Sequence, residues 1–317
     1  MARKVYQEPD GKMNLFLRSA VAAVFIAAAV QSFTIGVLAD FLPREVCRPD
    51  VRTVWSREFD GVSRFVLSNA NGAVRVAVHD APRVAVNATV SAYVRSYVDR
   101  EVAERYVKEL FRADADGNTL WLVTEPRARP SEVELNVAYE ILAPRGAHVE
   151  IETTRGNIYV GEGCGDVNVR SALSDIEIRK AGGIVHAQTT SGRIDLLDAG
   201  REATLRTVNG NVRAIFSGHV LTANTVNGNI DVRLPEPGVR GCDLTTTNGN
   251  ITLSLHPGCS AEVNAITRQG VVKSDFEVVP LSGGQKPTEL RGFIGQSETQ
   301  LTLSTFAGDI LIGRSET

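Results

Sequence analysis

A glycine returns at a fixed interval through the second half of the chain, and this period constrains the fold more than any other feature. The interval is 18 residues with a serine in one slot, then 21 residues twice, and the pattern resumes once after an insertion. The positions are Gly156, Ser174, Gly192, Gly210, Gly228, Gly249, Gly270 and Gly308. Such a period is typical of a solenoid, in which each repeat is one coil that buries its apolar face only against its neighbours.

The residues around each glycine repeat with it. Apolar residues stand seven and five positions before it and two positions after it, and a hydroxyl residue stands three positions before it. Because successive side chains of a strand face opposite sides, this alternation predicts two strands per coil. We expect the hydroxyl groups to point inward and to satisfy each other and the backbone. They belong to Thr153, Ser171, Thr189, Thr207, Thr225, Thr246, Thr267 and Thr305.

The glycine is predicted to form a structural corner between the two strands. Asn-Gly tolerates a positive φ at low steric cost, which favours a sharp change of direction. It also closes antiparallel hairpins, but hairpins have no reason to keep a strict period, whereas stacked coils must stay in register. We therefore predict an all-β fold, a parallel β-solenoid of about 18–21 residues per coil over residues 148–317. The predicted corner residues are Gly156, Gly192, Gly210, Gly228, Gly249, Asn209, Asn227 and Asn248.

A hydrophobic segment at residues 19–41 precedes the repeats. Residues 19–39 contain no charged side chain and are long enough to cross a bilayer core of about 30 Å as a helix. The stub 1–18 is basic, and basic flanks stay cytoplasmic. A retained transmembrane anchor is favoured because the apolar run exceeds the roughly 7–15 residues of a signal peptide, but cleavage after Ala39 is the alternative. Either fate predicts that the bulk of the chain is extracytoplasmic, and the retained anchor predicts a single-pass protein of the bacterial cytoplasmic membrane with a cytoplasmic N-terminus.

Between the membrane segment and the repeats lie a linker, residues 42–50, and a mixed α+β lead-in, residues 51–147. Residues 65–76 contain Asn-Gly between alternating apolar residues and read as an outlying coil. Residues 84–94 form a second strand candidate, and residues 99–113 have the spacing of an amphipathic helix. A cap of this kind would cover the edge strands of the first coil.

Composition excludes several function classes. The net charge of −3 provides no basic field for nucleic acid, so no nucleic-acid partner is predicted. The four cysteines have no zinc-site spacing, and we predict neither a metal nor another cofactor. Two alternatives are open for Cys242, a buried thiol or a disulfide with Cys259. The other cysteines are Cys47 and Cys164.

The repeats resemble a known family. Residues 225–232 read Thr-Val-Asn-Gly-Asn-Ile-Asp-Val and residues 246–253 read Thr-Thr-Asn-Gly-Asn-Ile-Thr-Leu. Together with the leading membrane segment, they resemble the bacterial putative-adhesin family of β-strand-repeat proteins, a domain of unknown function. The resemblance covers about residues 60–315 and implies the solenoid fold, but no catalytic residues. The chain departs from the pattern at Ser174 and at residues 269–271, where corner asparagines are missing.

Three functions are compatible with this organisation. The favoured one is a membrane-anchored binding or scaffold protein without catalysis, whose partner is an unknown envelope protein or polysaccharide. An envelope-stress sensor would need a membrane partner, because an 18-residue stub is too short for a signalling domain. A polysaccharide-active enzyme would need carboxylates and a basic group that converge. The outward candidates Glu177, Asp195 and Asp231 are interrupted by Arg213, and the histidines His186, His219 and His256 have unrelated phases.

Overall fold

The computed structural model describes residues 51–94, 107, 110–124, 133–281, 286–296 and 299–315. All of them belong to one compact unit, Pro49–Thr317. Within the described ranges no helix has the length and apolar character to cross a bilayer. The stub 1–18, the hydrophobic segment 19–41 and the linker 42–50 lie outside the described residues.

Every named element in the described part of the chain is a strand. In chain order the strands are β1 (Val51–Asp60), β2 (Arg64–Asn71), β3 (Val74–His79), β4 (Arg83–Val94), β5 (Phe111–Asp116), β6 (Thr119–Thr124), β7 (Val133–Pro144), β8 (His148–Arg155), β9 (Ile158–Val160), β10 (Val167–Leu173), β11 (Ile176–Ala181), β12 (Val185–Gln188), β13 (Ile194–Ala199), β14 (Glu202–Arg206), β15 (Val212–Ile215), β16 (Val220–Asn224), β17 (Ile230–Leu234), β18 (Gly241–Asn248), β19 (Ile251–Leu255), β20 (Ala261–Gln269), β21 (Val272–Ser274), β22 (Val279–Pro280), β23 (Glu289–Ile294), β24 (Gln300–Ala307) and β25 (Ile310–Arg314).

The strands form two sheets, and each coil contributes one strand to each. Sheet A has 12 strands in the order β1-β4-β7-β3-β9-β11-β13-β15-β17-β19-β25-β21. Sheet B has 13 strands in the order β22-β23-β20-β24-β18-β16-β14-β12-β10-β8-β2-β6-β5. Neighbouring coils pair in parallel and in register from β8 to β19. The predicted all-β parallel solenoid is therefore confirmed, and the hairpin alternative is excluded for these coils.

The core is a set of columns that run through the stack. Ile194 pairs with Val212, and Val212 pairs with Ile230, on successive strands of sheet A. All three side chains are fully buried, while the following residues, such as Asp195 and Asp231, face solvent in part. The inward and outward positions follow the sequence periodicity. Each fully buried aliphatic side chain contributes roughly 1.5–3 kcal/mol to folding through removal of its apolar surface from water.

Chain order and stacking order differ at both ends of the solenoid. The last two strands, β24 and β25, pair with β18 and β19, and β20 with β21 stacks outside them. At the other end β2 and β3 pair with β8 and β9, and β6 with β7 stacks outside them. The outermost parallel coil at each end is thus an internal stretch of the chain. The coil of Gly308 lies between those of Gly249 and Gly270.

The lead-in segment is built largely from strands. Residues 65–76 form the predicted outlying coil, β2 and β3, and residues 84–94 lie in β4, which pairs antiparallel with β1 and β7. Of the predicted helix, residues 99–106 and 108–109 lie outside the described residues. The helix prediction is wrong for residues 111–113, because they lie in strand β5, which pairs antiparallel with β6 around Gly117. Half-buried Phe111 and Ala113 alternate there with exposed neighbours, which is a strand period.

Each corner glycine is required by the close approach of its stacked neighbour. A Cβ on Gly210 would lie 2.0 Å from the carbonyl oxygen of Gly192, and one on Gly228 would lie 2.0 Å from that of Gly210. Positive φ angles occur at Gly156 and Gly192, as the sequence argument expects. At Gly210, Gly228 and Gly249 φ lies outside the left-handed range. At those three corners the reason for glycine is contact between coils and not a left-handed backbone.

The inward threonines bond to the same corners. Thr207 Oγ1 donates to the Gly192 carbonyl oxygen at 3.1 Å, and Thr225 Oγ1 donates to that of Gly210 at 3.0 Å. Equivalent bonds join Thr246 to Gly228, Thr305 to Gly249 and Thr267 to Gly308. These five hydroxyls therefore satisfy the backbone, as expected, and their partners are carbonyls of an adjacent coil rather than one another. Ser171 of the same row bonds to the hydroxyl of Ser174.

Two rows of asparagine flank the glycine. Before it, Asn227 Nδ2 donates to Asn209 Oδ1 and Asn248 Nδ2 donates to Asn227 Oδ1, each at 2.8 Å. After it, Asn211 Oδ1 accepts from the Asn229 backbone N–H at 2.8 Å. The first row links side chains between coils, and the second satisfies backbone groups at the bend.

Replacement of a corner glycine tests the role of close stacking. We expect Gly210→Ala to lower the free energy of unfolding by at least about 2 kcal/mol, because its methyl group would overlap the Gly192 carbonyl. Gly238→Ala is the matched control, since nothing lies within 4 Å of a Cβ there, and its effect should be within about 0.5 kcal/mol. Urea unfolding followed by circular dichroism measures both. Equal losses from the two variants would contradict the stacking argument.

Candidate binding surface

Outward side chains of sheet A form a row that crosses the strands. Glu177 lies beside Tyr159 on β9 and beside Asp195 on β13, and the row continues through Arg213 and Asp231. Of the carboxylates singled out from sequence, the structure therefore brings Glu177 and Asp195 together. Asp231 is separated from them by Arg213, whose Nε lies 4.0 Å from Asp231 Oδ2.

The row borders a groove of about 330 Å³ near the start of the strands. Five neighbouring strands line it, β7, β3, β9, β11 and β13. Its side chains include Arg75 and Glu140, which come from the lead-in segment and which the sequence analysis did not select. A sequence signal for Arg75 exists, because it stands three residues after Gly72 just as Tyr159 stands three residues after Gly156.

Tyr159 organises the cationic side of the groove. The guanidinium carbon of Arg75 lies 4.8 Å from the centre of the Tyr159 ring, and that of Arg179 lies 5.8 Å from it. Both are cation–π contacts, which are worth about 0.5–1 kcal/mol at exposed sites. The ring therefore holds two guanidinium groups next to the groove.

The groove carboxylates are neutralised by arginines. Arg179 Nε donates to Glu177 Oε1 at 2.7 Å, and this contact raises the pKa of Arg179. Arg193 Nε lies 2.9 Å from Asp195 Oδ2, and the Arg193 backbone N–H donates to Asp175 Oδ1 at 2.8 Å. Asp195 Oδ1 is buried and has no hydrogen-bond partner among the described residues.

The arrangement does not provide the converging acid and base of a hydrolase. His186 lies on β12 in sheet B, and His219 and His256 precede β16 and follow β19, so none of the three lines the groove. Glu177 and Asp195 are each held by a charged donor. Such a surface can bind hydroxyl, carboxylate or ammonium groups through several weak contacts.

A second groove, of about 530 Å³, lies on sheet B near its β5 end. Arg64 Nη2 lies 2.8 Å from Glu150 Oε2, and His148 Nδ1 lies 3.1 Å from Asp166 Oδ2. All four side chains are substantially exposed, and Arg64 and Glu150 form an ion pair within the groove. Exposed pairs of this kind contribute little to stability.

The described cysteines are free thiols. Cys242 is 3% exposed and occupies its predicted inward position, and Cys259 is half-buried. The disulfide between Cys242 and Cys259 is not formed, so the buried-thiol alternative describes Cys242. Burial raises the pKa of Cys242 strongly and raises the pKa of Cys164 to about 11.

Comparison with known proteins gives one matching family and several similar crystal structures. A family model described as Toastrack DUF4097 matches residues 139–313. The chain is similar to the crystal structure of a putative adhesin from Parabacteroides merdae, with a TM-score of 0.47 at 10% identity, covering 83% of this chain and 96% of that one. A putative adhesin from Bacteroides fragilis gives a TM-score of 0.40 at 15% identity, covering 82% and 97%. No curated protein matches.

Thiol labelling tests the state of the cysteines. In the folded protein we expect iodoacetamide to alkylate Cys259 and to leave Cys164 and Cys242 unmodified, because only an exposed thiolate reacts. A peptide map under non-reducing conditions measures this, and a linked Cys242–Cys259 peptide would contradict it.

Because the folded-state pKa of Cys164 is raised from 9.0 to about 11, the unfolded chain ionises first. Stability should therefore fall as pH rises from about 9 to about 11.

Proposed function

Because the chain belongs to the Toastrack DUF4097 family, we propose that it is a non-catalytic binding or scaffold protein of the bacterial cell envelope. In this proposal residues 19–41 anchor it in the cytoplasmic membrane, residues 1–18 stay in the cytoplasm, and the solenoid faces the outside. Its partner is an envelope polysaccharide or protein that meets the outer face of the sheets.

The observation that carries the proposal is the registered outer row of sheet A. Stacking repeats equivalent outward positions at the strand spacing of about 4.8 Å, and ion pairs neutralise most carboxylates along the row. A flat face with balanced charge suits an extended partner that makes many similar contacts. It does not suit proton transfer, which needs an acid and a base held at one reacting bond.

The anchor rests on sequence. Residues 19–39 have no charged side chain. Four basic residues and two acidic residues, Glu8 and Asp10, precede them. Orientation follows the basic residues, since acidic ones contribute little. Retention of the segment would keep the solenoid beside the membrane, and cleavage after Ala39 would release it.

Protease protection tests the topology. Trypsin added to intact spheroplasts should digest residues 48–317, whereas a tag at the N-terminus should stay protected until the membrane is opened. Immunoblots against both parts measure this. Protection of the solenoid would contradict the extracytoplasmic placement, and N-terminal sequencing that begins at Asp40 would contradict the anchor alone.

Amide substitutions distinguish binding from catalysis. Glu177→Gln, Asp195→Asn and Asp231→Asn each keep an acceptor oxygen but remove the titratable group. We expect each single variant to lose less than about three-fold in co-sedimentation of the full chain with isolated cell envelopes, with a larger loss for the triple variant. Loss of a catalytic acid or base would instead lower a reaction rate by about 10²–10⁴ in a single step and leave binding largely intact, so complementation of a deletion strain by each variant is measured in parallel. A folded single variant that still sediments with envelopes but fails to complement would overturn the non-catalytic function.

A further inference from the structure

Of the three arginines at the groove of sheet A, Arg75 alone has no carboxylate within ion-pair distance in the described part of the chain. Arg179 pairs with Glu177, and Arg193 pairs with Asp195. Arg75 is exposed, and its guanidinium contacts the ring of Tyr159. Its guanidinium plane is held over the aromatic ring while its N–H groups stay available. A guanidinium held in this way is a donor pair for a carboxylate.

We propose that this groove binds an acidic polysaccharide, with Arg75 as the group that binds the carboxylate of a uronic acid residue. The inference rests on the proposed binding function and names the ligand class for it. Tyr159 is a positioning residue, because both of its cation–π partners limit access of a sugar to the ring faces.

The dimensions of the groove suit an extended sugar chain that crosses the strands. Five neighbouring strands line it, and four strand spacings amount to about 19 Å. The strand spacing is close to the length of one sugar residue in an extended polysaccharide. Successive sugars can therefore meet the outward side chains of successive strands, which differ from strand to strand.

The remaining groups of the groove suit hydroxyls. Glu140, Asp175, Glu177 and Asp195 supply acceptor oxygens along it. Asp195 Oδ1 is buried without a donor, and an unmet acceptor of this kind is costly. The Arg193 side chain, which pairs with the other oxygen, Oδ2, is 59% exposed, so it can move to admit a sugar hydroxyl that donates to Oδ1.

The charge balance argues against polymers with dense negative charge. A nucleic acid or polyphosphate would place a phosphate near each of the four carboxylates for the single unpaired cation, Arg75. A mainly neutral polysaccharide with a single uronate at this position brings one carboxylate and many hydroxyls, which matches one open guanidinium among many acceptors. A neutral polysaccharide would leave Arg75 without an ionic partner.

Calorimetric titration of the full chain in detergent tests the inference. The probes are tetrasaccharides in which one galacturonate, glucuronate or mannuronate residue is joined to neutral sugars, each with its carboxyl-reduced counterpart. We expect at least one uronate to bind about ten-fold more tightly than its reduced form, the discrimination of one charge-assisted pair. Arg75→Gln should abolish the difference, and Arg206→Gln, an exposed arginine on β14 of sheet B, should keep it. Tyr159→Ala should weaken the discrimination, and Tyr159→Phe should restore it, because phenylalanine keeps the ring.

The outcomes separate this inference from the function on which it rests. No uronate bound by the wild-type chain, equal affinity for the reduced forms, or equal effects of Arg75→Gln and Arg206→Gln in folded protein would overturn the uronate site. Co-sedimentation of the same proteins with cell envelopes is measured in parallel. Wild-type protein that sediments with envelopes but binds no uronate leaves the binding function standing. Wild-type protein that binds uronate but is not retained by envelopes contradicts the envelope function alone.

Discussion

The contact between stacked corners is the constraint on which the rest of the structure depends. The Gly192 carbonyl oxygen lies where a Cβ of Gly210 would be, and it accepts a hydrogen bond from Thr207 Oγ1. Likewise, the Gly210 carbonyl oxygen lies 2.0 Å from where a Cβ of Gly228 would be, and it accepts a hydrogen bond from Thr225 Oγ1. Each coil is thereby fixed in distance and in register to the next. A slip by one residue would place a side chain at the contact and would turn the aliphatic columns toward solvent.

This register explains why inward and outward residues were predictable. Alternation around each glycine identified the buried columns, including Ile194 and Ile230, because strand parity is a local property. Stacking order is not local. Any coil with the same inward residues can cover any other, and the chain uses this freedom at both ends. The coil of residues 269–271, where the corner asparagines are missing, is the outermost parallel coil at its end of the stack.

Sequence alone did not distinguish a helix from a strand where one pattern fits both. Residues 111–113 satisfied a helical spacing with the residues before them, but they lie in a strand. There the ring centre of Phe111 lies 5.4 Å from that of Trp55, and this tertiary contact overrides the local helical pattern. The role of the threonines was predictable only in part. An inward hydroxyl needs a partner, but only the stacked geometry shows that the partner is a glycine carbonyl of an adjacent coil.

The groove depends on the non-sequential stacking of the lead-in. Arg75 on β3 meets Tyr159 on β9 because residues 65–76 form a coil that stacks directly on β8 and β9, although more than 60 residues of chain separate them. The outward positions have little influence on the core, since surface substitutions commonly change stability by less than about 0.5 kcal/mol. Residues such as Arg75 and Glu177 can therefore be replaced without loss of the solenoid. A fold whose corners fix the register and whose outer rows are free to vary can acquire different ligands, and Arg75 lies in such an outer row.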